Sequence, residues 1–191
     1  MEHSFWLYRA ALDFTPLAPD ERLFLVCGGV DYQCEIRLDG RLVHAQEGMF
    51  TPIELDLTEH ATSGSQLDIL VHPAPQWEIS QPVKVVTFCK PLVSYGWDFH
   101  PRLVPLGIWR ETYLEVRPAC HIRSAETLYT LDEDLQRADV RLEVELSQPG
   151  SGFLRWTLLD PQGNPVFVQR SACETGNITL RASLPNPELW W

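Results

Sequence analysis

The sequence lacks a basic excess. Its 191 residues carry 15 Lys and Arg against 26 Asp and Glu, a formal charge of −11 at pH 7. Nucleic acids and anionic membranes are gripped through positive footprints, so neither is an expected partner. The sequence also lacks any apolar run near the roughly 20 residues that cross a bilayer. Its opening, MEHSFWLYRA, has neither the basic start nor the apolar stretch of a signal peptide. The compartment stays open, with the cytoplasm as the default expectation. Paired cysteines are missing too. Cys27, Cys34, Cys89, Cys120 and Cys173 are odd in number, and none stands in Cys-x-x-Cys spacing. A zinc site or a disulfide framework is not expected, and the thiols read as buried, reduced core residues. Gly28-Gly29 is followed by no helix, so it is a tight turn and no phosphate loop. No cofactor is implied. The sequon Asn177-Ile178-Thr179 carries weight only on a secretory route.

A helical period is also absent: no ten-residue window repeats apolar residues every 3.6 positions. What is there is alternation. In DYQCEIRLDG, Tyr32, Cys34, Ile36 and Leu38 face one way, with Gln33, Glu35 and Arg37 opposite. Asp39-Gly40 then supplies the positive φ of a two-residue hairpin turn, and RLVHAQ returns as the partner strand. PIELDL, QLDILV, VKVVTF and RETYLEV read as further strands. After Pro118 the same pattern resumes in DVRLEVEL, FLRWTLL, VFVQ and NITLRASL, and the short EDLQRA reads as a helical turn. Strands at such spacing, punctuated by Gly and Pro, predict an all-β chain of antiparallel sandwiches. We divide it into residues 1–117 and 118–191. The second part has only four or five strands where a closed sandwich usually has about seven. The chain ends on PELWW, two large apolar side chains expected to dock on something else.

One stretch does not alternate. SYGWDFHPRL, residues 94–103, gathers aromatics, a carboxylate, a histidine and an arginine among prolines. Sugar recognition needs a flat apolar face for the C–H side of a pyranose and a carboxylate for its hydroxyls, on a stiff loop. Trp97 offers the face and Asp98 the acceptors. The plain alternative is that Trp97 and Tyr95 pack between domains and that Asp98 caps a turn. His100 with Asp98 gives two metal ligands and no third nearby, so no metal site is expected. Ser94, His100 and Asp98 lack the nucleophile turn of a triad. Glu143 alternates with Arg141 and Glu145 on a charged strand face, which argues against a pairing with Glu133 as catalytic acids.

Three stretches together resemble glycoside hydrolase family 2 and its β-mannosidase-like members. GVDYQCEIRLDGRLVHAQEGMFTPIELDLTEH is similar to the sugar-binding jelly roll, with FWLYRAALDF similar to an internal strand of it. SYGWDFHPRLVPLGIWRETYLEV is similar to the loop and closing segment of that domain, and PELWW to a segment of the immunoglobulin-like domain that follows. Phe99 and His100 stand where the family commonly has a second tryptophan and a small residue. The resemblance implies a galactose-binding-like jelly-roll β-sandwich at 1–117 with N-terminal strands missing. It implies a partial immunoglobulin-like β-sandwich at 118–191 with C-terminal strands missing. It also implies substrate binding by Trp97 and Asp98, with Arg102 at the same site or bracing the loop. The ligand would be a β-mannoside or related glycan bound in the context of the family's barrel domain, in carbohydrate metabolism. Catalytic residues are not expected in this chain, because the family's two glutamates lie on a barrel domain. Retaining glycosidases need such a pair about 5–5.5 Å apart. A free-standing carbohydrate-binding module and a structural β-sandwich without ligand remain as alternatives. Unpaired strand edges imply self-association.

Overall fold

A computed structural model describes residues 2–77 and 88–189. The chain divides into two compact units, Met1–Val116 and Arg117–Trp191. Most of the strand expected in VKVVTF, and both terminal tryptophans, lie outside the described residues.

In the first unit the strands run β1 (Trp6–Ala11), β2 (Glu21–Cys27), β3 (Val30–Asp31), β4 (Gln33–Leu38), β5 (Arg41–Glu47), β6 (Ile53–Asp56), β7 (Gln66–Val71), β8 (Gly107–Ile108) and β9 (Thr112–Pro118). One sheet has the order β1-β7-β4-β5 and the other β6-β2-β9, with β3 and β8 as a separate short pair. The alternation in β4 decides which face goes inside. Cys34, Ile36 and Leu38 are buried with Leu67, Ile69 and Val71 of β7. Against them, from the second sheet, lie Leu23, Leu25 and Cys27 of β2 and Ile53 of β6. Two antiparallel sheets therefore share one apolar layer, which is a β-sandwich. Leu38 pairs with Arg41 across Asp39 (φ 48°) and Gly40 (φ 81°), the two-residue turn that the Asp-Gly dipeptide predicts.

The second unit has β10 (Ile122–Leu131), β11 (Arg137–Leu146), β12 (Phe153–Leu159), β13 (Pro165–Ala172) and β14 (Asn177–Pro185). A three-stranded sheet, β10-β11-β14, accompanies the pair β12-β13. The inward residues of β11 (Val140, Leu142, Val144, Leu146) form one buried cluster with Leu154 and Trp156 of β12 and Ile178 and Leu180 of β14. EDLQRA is no helical turn; it is the corner of the β10–β11 hairpin. The Asp132 carboxylate accepts hydrogen bonds from the amides of Gln136 (2.8 Å) and Arg137 (3.0 Å). Those amides are thereby taken from any helix, and Ala138 and Val140 enter the core as strand residues.

The cysteines are all free. Cys27, Cys34 and Cys173 are buried, Cys120 is half-buried and Cys89 is exposed, which corrects the expectation of uniformly buried thiols. Burial, with Cys27 beside it, pushes the Cys34 thiol up to about 11.

FWLYRAALDF supplies β1, which lies at a sheet edge with all six strand residues exposed. Beside its six-residue ladder with β7, it carries a charge clamp. Arg9 donates to both oxygens of Asp68 on β7, at 2.7 and 2.8 Å. Asp68 sits in register between Arg9 of β1 and Arg37 of β4, and Gln66 donates to it at 3.1 Å. The Arg9 hydrogen bonds hold the Asp68 carboxyl below the usual carboxylate range. A carboxyl depressed in the folded state stabilises the fold above its unfolded pKa, about 3.9, and this contribution is lost as pH falls through the folded value. Below about pH 4 the β1 amides should therefore lose protection from hydrogen exchange before those of β4. Asp68→Asn should produce the same selective loss at neutral pH. Unchanged β1 protection in that variant would show that the clamp does not hold the edge.

Candidate functional site

The loop between Phe88 and β8 is built from short-range bonds. A 3₁₀ turn over Leu92–Tyr95 follows Pro91, with Ser94 N donating to Pro91 O at 3.1 Å and Gly96 N to Val93 O at 3.0 Å. Gly96 has φ 110°, a backbone setting that L side chains rarely adopt, and there the chain changes direction. Trp97 and His100 then exchange backbone bonds of 2.8 and 3.2 Å. That closes a tight hairpin with Asp98 and Phe99 at its tip. Leu103 N donates to Ser94 O at 2.8 Å and closes the base.

Arg102 joins this hairpin to the rest of the unit. Its guanidinium donates to Glu2 at 2.7 and 3.1 Å and to the carbonyls of Trp77 (3.1 Å) and Tyr95 (3.4 Å). It also stands 5.2 Å over the Tyr95 ring. Tyr95 anchors the turn from below. It is buried with Ala74 and Val104, contacts Trp77 and Phe88 edge-on or tilted, and donates its hydroxyl to Pro75 O at 2.7 Å. Burial, then the nearby Asp31 charge, pushes the Tyr95 phenol up to about 12, so it stays a donor.

The tip is different. Trp97 is 53% exposed and Phe99 77%. Asp98 is exposed, and its carboxylate has no hydrogen-bond or ion-pair partner among the described residues. It therefore caps no turn. Gly96, Trp97, Asp98, His100, Pro101 and Arg102 line an open depression of about 560 Å³. Trp97 and Asp98 are brought together there with ring and carboxylate free, whereas Arg102 is committed to Glu2 and two carbonyls. His100 is half-buried, and its Nδ1 has no partner among the described residues. Those residues contain no group of three His, Cys, Asp or Glu able to hold a metal ion.

Beneath the loop lies a pair that the sequence reading did not single out. Asp31 of β3 and Lys90 are both buried, at 2% and 6% exposure, and form an ion pair. Lys90 Nζ also donates to Pro105 O at 2.7 Å. The second Asp31 oxygen is buried without a partner among the described residues. Burial pushes the Asp31 carboxyl upward, while the Lys90 ammonium pulls it back. One signal was available: the chain has only two lysines, and Lys90 stands immediately before Pro91. Nothing local marks Glu2 as the partner of Arg102.

Residues 1–110 match the family model described as glycosyl hydrolase 2 galactose-binding domain-like. The chain belongs to that family. Among the relatives of this galactose-binding-like chain is a β-mannosidase B from Emericella nidulans. It is 26% identical over 205 residues, covering 97% of this chain and 24% of the relative. A β-glucuronidase from Streptococcus agalactiae is 28% identical over 152 residues, covering 75% and 25%. The crystal structure of a β-D-mannosidase from Dictyoglomus thermophilum has the same fold. Its TM-score is 0.76 at 20% identity, over 100% of this chain and 25% of that one. The chain thus spans about a quarter of the length of the relatives it matches.

Leaving one member of a buried ion pair unpaired typically costs about 3–5 kcal/mol, whereas replacing both by apolar residues is often neutral. Lys90→Met should thus lower unfolding stability in urea by about 3–5 kcal/mol. Asp31→Leu combined with Lys90→Met should restore most of it. Additive losses in the double variant would mean that the two residues are not coupled.

Proposed function

We propose that this chain is the non-catalytic, sugar-facing part of a β-mannosidase-like glycosidase. On this reading, 1–117 is the jelly-roll sugar-binding domain and 118–191 belongs to an immunoglobulin-like sandwich. The ligand is the terminal sugar of a β-mannoside. The observation that carries the proposal is the hairpin tip, where an exposed indole and an unpaired carboxylate stand side by side on a loop pinned at turn, base and flank. Trp97 would receive the apolar face of the ring, and Asp98 would accept hydrogen bonds from its hydroxyls. Arg102 would hold the loop in place through Glu2 without meeting the ligand.

The charge arrangement favours a neutral sugar over a uronate. The arginine lining the depression is already engaged by Glu2, so it is not available to offset the Asp98 charge against a second carboxylate. This supports a mannoside over a glucuronide, although relatives of both names occur.

Hydrogen bonds to a charged group contribute about 1.5–3 kcal/mol each. In an enzyme of which this chain is part, Asp98→Ala should lower kcat/KM for aryl β-mannosides by about 10- to 200-fold, since about 1.36 kcal/mol is a factor of ten. In the 191-residue chain the same change should leave stability within about 0.5 kcal/mol, as for other surface substitutions. The chain as it stands should release no sugar from these substrates. Full kcat/KM after Asp98→Ala would make the loop scaffold only, and turnover by the chain that survives repurification would overturn its non-catalytic role.

A further inference from the structure

An ammonium withdrawn from water is stable only where acceptors are fixed around it. The Lys90 side chain has no exposed surface, and its two described acceptors come from different places. Asp31 belongs to β3, which pairs with β8 so that Asp31 stands opposite Gly107. Pro105 O lies at the exit of the loop that carries the hairpin, and Lys90 is itself at the entrance. One nitrogen therefore draws the two ends of the loop together and ties both to a strand of the fold. An apolar side chain of the same volume could fill the space but could not hold a carbonyl. The arrangement also leaves the second Asp31 oxygen buried and unpartnered. A pair that only filled space would be better replaced by hydrocarbon.

We infer that Lys90 and Asp31 are positioning residues for the sugar site, setting where the Trp97–His100 hairpin stands without touching the ligand. The inference rests on reading that hairpin as sugar-facing. Its mechanical part can be tested apart from that reading. The Arg102–Glu2 pair braces the flank of the loop from the exposed side. Lys90 sets the loop ends from the buried side, so loss of Lys90 leaves the flank attached but frees the ends.

The test uses the full 191-residue chain with Asp31→Leu and Lys90→Met together, the double variant that should unfold at nearly the wild-type urea midpoint. Two quantities are compared with wild type: amide hydrogen exchange and the Kd for β-1,4-mannobiose by NMR titration. Exchange at Gly96, Trp97 and Leu103 should rise about tenfold or more, the scale of one lost charge-assisted bond. Exchange in β4 and β7 should not change, and the Kd should weaken by a similar factor. Equal loop protection in an equally stable double variant overturns the inference, because a merely structural pair would give that result. If the isolated wild-type chain does not bind mannobiose, the exchange result alone decides whether the pair positions the loop. If the double variant does not fold, Asp31→Asn takes its place, since it keeps the side-chain shape and one acceptor for the ammonium. Faster exchange confined to the three loop amides then supports the inference, and wild-type protection overturns it.

Discussion

A charged nitrogen with no access to solvent has to find its acceptors inside the protein, and the site end of the first unit is arranged around that demand. Lys90 brings together a strand residue, Asp31, and a loop carbonyl, that of Pro105. Above this node stands the small aromatic cluster around Tyr95, and above that the hairpin with its exposed tip. The hairpin is stiff because its base bonds to Ser94, the 3₁₀ turn that carries Ser94 is seated by the Tyr95 ring, and the ends of the loop meet at Lys90.

The same region sorts its charges by role. Arg102 and Lys90 are both cations near the loop, yet both are consumed internally, one by Glu2 and the other by Asp31. At the hairpin tip Asp98 keeps its charge unpaired among the described residues. A surface that spends its cations on structure and leaves a carboxylate exposed suits groups that donate hydrogen bonds, such as hydroxyls, better than anions.

Much of the architecture was legible because period-two alternation survives wherever one sheet face is buried. Tyr32, Cys34, Ile36 and Leu38 went inside as the pattern requires, and so did Val140, Leu142, Val144 and Leu146. Asp39-Gly40 was legible because few dipeptides tolerate positive φ twice. EDLQRA was misread because its local propensity is helical, while the Asp132 carboxylate and the pull of Ala138 and Val140 into the core act across the turn. Cys89 was misread because the burial tendency of cysteine says nothing of the particular loop position at which this one stands, exposed. At the site, Trp97 and Asp98 could be picked out by composition and family likeness. Lys90, Asp31 and Glu2 could not, because their partners lie 59 and 100 positions away and leave no periodic trace.

Those separations also order events in time. Closing a loop between distant residues costs chain entropy before any contact repays it, so long-range ties form slowly and late. The hairpins β4–β5 and β10–β11 need only neighbouring residues. The 94–103 loop needs Glu2 from the start of the chain and Asp31 from a strand whose partner, β8, follows the loop in sequence. During synthesis the β1-β7-β4-β5 sheet is therefore complete before the 94–103 loop, whereas β3 waits for β8 and the other sheet for β9, both of which follow that loop. A nascent chain that has not yet reached Leu103 cannot close the base of the hairpin that sets Trp97 beside Asp98.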